Sequence, residues 1–180
     1  MKQAMIDYMQ KPKHDELYTP DEAVLPLLPY IPKSWTVWEC TDHGGSNITK
    51  LFRERGNKVV STHFKNGQDF LTYDPDFEFD CIITNPPYSQ KDQFLARAYE
   101  LGKPFAFLLP IDSLASIKRV AMFKEHGIQV LVLDRRINFM KTKKAVWFNT
   151  SWFCRDILPE QLVFCQIPRL VYHSPGGVDK

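Results

Sequence analysis

Asn85-Pro86-Pro87-Tyr88 stands directly after the apolar run Phe79–Thr84. Two consecutive prolines fix the backbone angles and supply no N–H, so a chain leaving a buried strand there must do so in one rigid shape. The amide of Asn85 is thereby held at the strand tip, with the flat ring of Tyr88 beside it. An amide at such a point can hydrogen-bond a polar group brought to it, and an aromatic face can stack on a flat one. A second cluster is basic. Arg135, Arg136, Lys141, Lys143 and Lys144 lie within ten residues, interleaved with Phe139 and followed by Trp147 and Phe148. Such a loop is either a solvated surface or a set of phosphate contacts with aromatic support.

The elements that would position these residues follow from periodicity. Trp35–Cys40, Lys58–Thr62, Phe79–Thr84, Phe105–Leu109 and Ile128–Leu133 are short apolar runs rich in β-formers, so buried strands. Helices fall between them. One starts at Pro20 with Thr19 as N-cap, and one runs from Ser46 to Gly56. A third is capped by Ser89 with Asp92 three residues on, and presents Phe94, Leu95, Ala98 and Tyr99 on one face. A fourth, capped by Asp112 and ending near Gly127, turns Leu114, Ile117, Ala121 and Met122 inward. Strand, helix, strand at these lengths gives parallel pairs. Ala145–Phe153 and Gln161–Ile167 read as antiparallel strands added after the parallel core. The expectation is a Rossmann-like α/β domain, a mostly parallel sheet with helices on both faces. In such a sheet, ligands bind beyond the carboxyl ends of the strands. Thr41–Gly45, His63–Phe70, Asn85–Tyr88 and Pro110–Asp112 fall there.

Composition bounds the rest. The chain has 180 residues, 44% hydrophobic and 24% charged, which excludes a disordered or fibrous protein. Its net charge of +2 makes no general polyanion binder, so nucleic-acid affinity would have to be local. Thirteen prolines against eight glycines imply several fixed corners. Cys40, Cys81, Cys154 and Cys165 form no C-x-x-C pair and read as buried thiols of a reducing cytoplasm. Met1–Gln10 is too polar for a signal peptide, and no apolar stretch reaches the ~20 residues of a membrane span. The expected organisation is an arm at 1–17, one α/β domain at 18–171 and a tail at 172–180, without a separate second domain. Oligomeric state is left open.

Ile83-Thr84-Asn85-Pro86-Pro87-Tyr88 resembles the catalytic motif of S-adenosylmethionine-dependent amino-methyltransferases, and most resembles that of the small adenine-specific DNA methyltransferases of bacteriophages. The resemblance runs from about Asp15 to Phe164. It implies S-adenosylmethionine as cofactor, and DNA as partner, either single-stranded or with the adenine flipped out of the duplex. Asn85 and the carbonyl of Pro86 would accept the two N–H bonds of the adenine amine. Its nitrogen would become more tetrahedral, with Pro87 holding the turn and Tyr88 stacking on the base. Thr19, Glu39, Gly45, Asp69 and Phe70 match cofactor-binding positions: Thr19 near the methionine carboxylate, Asp69 on the adenine amino group and Phe70 against its ring. Arg135, Arg136, Phe139, Lys141, Lys143 and Lys144 would face the nucleic acid.

Three departures fall on the cofactor half. His43 stands where the family has the first glycine of a Gly-x-Gly pair, leaving Gly45 as the clean match. His63 stands where an acid usually accepts the ribose hydroxyls, and a neutral imidazole can accept only one bond. Between His63 and Asp69 there is no room for the usual helix and strand, so that sheet edge should be trimmed. Two other readings therefore stand beside the first: an inactive relative that binds nucleic acid or cofactor, and an enzyme for RNA or protein glutamine. No third ligand accompanies His43 and His63, so no metal site is expected.

Overall fold

The computed structural model describes residues 19–139 and 148–167. The expected arm at 1–17, the tail at 172–180, and Lys141, Lys143 and Lys144 lie outside the described residues. The strands β1 (Val37–Glu39), β2 (Val59–Ser61), β3 (Cys81–Thr84), β4 (Phe105–Pro110), β5 (Gln129–Leu133), β6 (Thr150–Arg155) and β7 (Leu162–Cys165) form one seven-stranded sheet in the order β2-β1-β3-β4-β6-β5-β7. β1 pairs in parallel with β2 and with β3, and β3 with β4. β2 is the outermost strand on its side, as the short connection to Asp69 requires.

The C-terminal reversal is carried by β6, which is antiparallel to both β4 and β5. β7 returns parallel to β5 rather than antiparallel to it, with Val130 opposite Leu162 and Leu133 opposite Cys165. The reason is topological. β6 ends opposite Phe105, at the amino end of the parallel strands. The chain turns there through Asp156, at φ 55°, and comes back up along the free side of β5.

Among the described residues, four helices accompany the sheet: α1 (Asp21–Val24), α2 (Asn47–Arg55), α3 (Lys91–Leu101) and α4 (Ile117–His126). Strand alternation divides the core into two clusters. Val37, Ile83, Ala106 and Leu108 pack with Ala23, Val24, Ile48 and Phe52 from α1 and α2. Trp38, Ile82, Phe105 and Phe107 pack with Phe94, Leu95, Ala98 and Tyr99 from α3. Gly56 ends α2 in the left-handed conformation, φ 102°, which is why a glycine stands there.

Three expected caps are replaced. α1 is preceded by Pro20 with no side-chain cap bond, because Thr19 is buried and its carbonyl instead accepts the Asn47 amide at 2.8 Å. α3 begins after a 3-10 turn over Tyr88–Gln90, so Gln90 and not Ser89 precedes it. Asp92 is drawn away from capping by Arg119, at 2.7 Å. Asp112 sits in a separate 3-10 turn, Ile111–Leu114, and the cap of α4 is Ser116, whose hydroxyl accepts from Arg119 N at 3.2 Å. The buried Arg119 side chain donates to the carbonyls of Ser113 and Ala115 and holds that turn apart from the helix. The later start rotates α4. Ile117 is 93% exposed and Leu114 and Ala121 are also exposed, while Met122 faces the core as expected and Phe123 joins it there.

One buried bond ties the strands beneath the ligand-binding end: Trp38 Nε1 donates to Thr62 Oγ1 at 2.8 Å. Trp38→Phe keeps the ring and strands that hydroxyl. It should lower unfolding free energy by about 1–2 kcal/mol, measurable by urea titration. Among the described residues no helix is long and apolar enough to cross a membrane.

Candidate active site

The carboxyl ends of β1, β2 and β3 open into a cavity of about 370 Å³. Its lining brings together Thr19, Glu39, His63, Asp69, Phe70, Asn85 and Pro87 from the expected site. The volume lies within the range of small-molecule sites, and the position is where an open α/β sheet places them. Gly45 stays outside this lining. It lies on an adjoining cavity of about 360 Å³, with φ 99°. Tyr88 is half-buried and also stays outside it, its ring edge-on to Phe148 at 5.7 Å and 73°.

Asn85 holds the distinctive atom of the site. Its Oδ1 is buried and accepts no hydrogen bond from the protein. Such an acceptor costs about 1–3 kcal/mol in the folded state, a cost normally avoided unless a ligand supplies the donor. The prolines behind it, with Pro86 buried and Pro87 extended at ψ 121°, keep the amide from turning away to find a partner.

The carboxylates of the cavity behave differently from one another. Glu39 is saturated. Its Oε1 accepts from Thr84 Oγ1 at 2.6 Å, Thr41 Oγ1 at 3.0 Å and Thr41 N at 3.1 Å, and its Oε2 accepts from Ser46 Oγ at 2.9 Å. Burial nevertheless pushes its pKa up to about 7, the bonds from Thr84, the Thr41 amide and Ser46 lowering it only in part. Asp42 is saturated as well, by Thr49 and Ser61 hydroxyls at 2.6 and 3.0 Å and by the Gly44 and Ser46 amides at 2.8 and 3.2 Å. Burial acts to raise its carboxyl, but these bonds outweigh it and hold Asp42 below the usual carboxylate range. Asp69 uses Oδ1 to accept from Leu71 N at 3.0 Å, which turns the chain at the adenine end expected for a nucleoside.

Thr84 connects the two halves. Its hydroxyl, fully buried, contacts Glu39 and also Thr41 Oγ1 at 2.6 Å, so the residue preceding Asn85 is bonded directly to the loop after β1. Neither Thr84 nor the loop-closing function of Asp42 was expected from the sequence. The Asp42-x-Gly44 spacing is the signal of an Asx turn that stands in for the missing glycine pair.

His63 lies at the tip of β2, buried, with Nδ1 accepting from Lys65 N at 3.2 Å. That bond places the ring proton on Nε2. His43 does meet it, at 4.6 Å between ring centroids, and Phe64 packs on its other side at 4.4 Å. Phe64 is 57% exposed and lines the cavity. It is a further site residue not singled out in the sequence, although an aromatic directly after a strand tip is a readable signal. Phe70 is buried and stacked on Phe94 at 4.8 Å, forming the apolar floor. Among the described residues, no group of three potential metal ligands is found.

Of the basic cluster, Arg135 and Arg136 follow the carboxyl end of β5, Arg136 exposed and Arg135 half-buried beside Asp134. Phe139 is not on that surface. It is 8% exposed and belongs to the same core cluster as Ile137.

No protein-family model matches the chain, and no curated protein sequence is detectably similar to it. Solved structures do resemble it. The methyltransferase subunit of a type I restriction-modification system from Streptococcus thermophilus matches 84% of this chain at 19% identity and TM-score 0.54. This chain spans 47% of that protein. A proposed class I S-adenosylmethionine-dependent methyltransferase from Listeria monocytogenes matches 92% of the chain and 72% of its own length at 13% identity and TM-score 0.49. A modification subunit of a proposed type I restriction enzyme from Vibrio vulnificus matches 92% and 50% at 15% identity and TM-score 0.49. Of these three, the first bears on the fold. The architecture is a Rossmann-like α/β fold shared with that methyltransferase subunit, a mostly parallel sheet carrying one reversed strand near its C-terminal side. Within that fold, this chain is a form with β2 at one edge and β7 added at the other.

Proposed function

We propose that this protein transfers a methyl group from S-adenosylmethionine to the exocyclic amino group of adenine in DNA. The observation that carries the reading is Asn85, held at a strand tip by Pro86 and Pro87 on the lining of a cavity that also holds Asp69, with its buried Oδ1 left unpartnered by the protein. An aromatic amine donates two N–H bonds, and Oδ1 with the Pro86 carbonyl offers two acceptors. Accepting those two hydrogen bonds would draw the nitrogen lone pair out of conjugation, and positioning rather than a strong base would drive the transfer. The bound cofactor supplies an electrophilic methyl on a sulfonium. With the amine held by Asn85 and Pro86, a nitrogen–carbon bond would form as the sulfur–carbon bond broke, and the surplus proton on nitrogen would leave to solvent.

The residues present fit the cofactor at the adenine end, with Asp69, Phe70 and Phe64, and at the transfer end, with Asn85. Glu39 and Thr41 line the segment between. The ribose end differs, since His63 replaces a carboxylate. DNA as substrate is supported by Arg135 and Arg136 at the carboxyl end of β5, and by the restriction-modification subunit whose fold the chain shares over 84% of its length.

Calorimetric titration with S-adenosylmethionine, followed by radiolabel transfer to DNA, RNA and protein, tests the reading. Cofactor binding with label in the adenine of DNA is the expected result. Binding with no transfer to any polymer would leave an inactive cofactor-binding relative. Label in RNA or in protein glutamine would move the substrate and keep the mechanism.

A further inference from the structure

Glu39 and Asp42 have little acceptor capacity to spare for a ribose. Glu39 and Asp42 both have their oxygens filled by the protein's own donors, and Asp69 stands at the adenine end. At the tip of β2, where a carboxylate would take both hydroxyl protons of a ribose, His63 has already spent Nδ1 on Lys65 N. A carboxylate there also repels any anion on the sugar. Among dinucleotide-binding α/β sheets, loss of that acid together with nearby cations is what admits a ribose phosphate. Space for one exists. The adjoining cavity of about 360 Å³ shares Asp42, His43 and Ser46 with the main one and is rimmed by Lys50, Arg53 and Asn66.

We propose that this site admits adenosine compounds carrying a phosphate on a ribose hydroxyl, the adenine held at Asp69 and Phe70 and the phosphate entering the adjoining cavity beside His43, Lys50 and Arg53. The proposal rests on reading the main cavity as an adenosine site. Asp42 is the anionic group nearest the phosphate, and its charge is already met by two amides and two hydroxyls. Lys50 is held by Asp21 only at 4.0 Å with both side chains well exposed, so it is free to turn to a ligand.

Adenosine, adenosine 2′-phosphate, adenosine 3′-phosphate and S-adenosylhomocysteine are titrated into the protein by calorimetry at low and at physiological salt. At least one phosphate should bind about threefold or more tighter than adenosine at low salt, an advantage that shrinks as salt rises. Lys50→Glu, on the exposed rim, should remove the advantage and leave adenosine affinity unchanged. His63→Glu should make both phosphates bind more weakly than adenosine. Phosphates that bind no more tightly than adenosine to the wild-type protein at low salt would overturn the proposal while sparing the adenosine reading. Failure of adenosine and S-adenosylhomocysteine alike to bind would overturn both.

Discussion

Asn85→Ala should abolish methyl transfer while leaving the fold at least as stable as before. The first half follows from the transition state. Removing one preorganised polar group aimed at developing charge costs a hundredfold or more in rate, roughly 3–4 kcal/mol, and Asn85 is one of two such groups proposed to hold the amine. The second half follows from the unpartnered Oδ1. Alanine deletes a buried acceptor that no protein donor satisfies, so about 1–3 kcal/mol of desolvation cost goes with it, against a small loss of packing. Melting temperature and initial rate, measured on the same sample, check the pair. A variant that keeps its activity would remove the mechanism. A variant that loses activity together with several degrees of melting temperature would mean that Asn85 supports the fold instead.

Glu39→Gln should flatten the dependence of stability on pH. Burial raises the folded pKa of Glu39 to about 7, against an ordinary value of 4.5. Below pH 4.5 the group is neutral in both states, and its contribution to stability is fully present. As pH rises toward 7 the unfolded chain ionises first, and that contribution is lost. The shift corresponds to about 3 kcal/mol. Urea unfolding of both proteins between pH 4.5 and 8 should therefore show the glutamine variant gaining about that much on wild type as pH rises. Parallel profiles would mean that Glu39 is ionised throughout. A cationic ligand in the cavity favours the carboxylate, so binding of S-adenosylmethionine should release protons near neutral pH.

The strands and their order of use were readable because a buried parallel strand has few sequence alternatives. Phe105–Leu109 can be little else. Asn85 was readable for a related reason, since the two prolines allow it one exit from β3. The helix starts were less so. Ser89-x-x-Asp92 has the spacing of a capping box, but Arg119, distant in sequence, claims Asp92 with a charged bond stronger than the cap. The same arginine delays α4 and turns Ile117 to solvent. Phe139 illustrates a different limit. An aromatic among basic residues looks the same in sequence whether it faces a ligand or anchors its loop, and only its place in the core cluster with Ile137 decides. The Glu39–Thr84–Thr41 cluster was hidden because hydroxyls at strand ends are common and become informative only when three converge on one carboxylate.

The placement of β6 has a consequence for how the molecule is made. It fills the gap between β4 and β5, pairing Phe105 with Arg155 and Val130 with Phe153, and the Trp152 indole donates to the carbonyl of Ala23 at 2.7 Å. A chain emerging from the ribosome therefore has its loop after β1, its Asn85 tip and α3 before the strand that closes the sheet between β4 and β5. Until residues 150–155 arrive, β4 and β5 face each other across an open ladder, and α1 waits for its last partner. Sheet closure must be a late event that joins the two ends of the domain at once, a long-range step of the kind that slows folding.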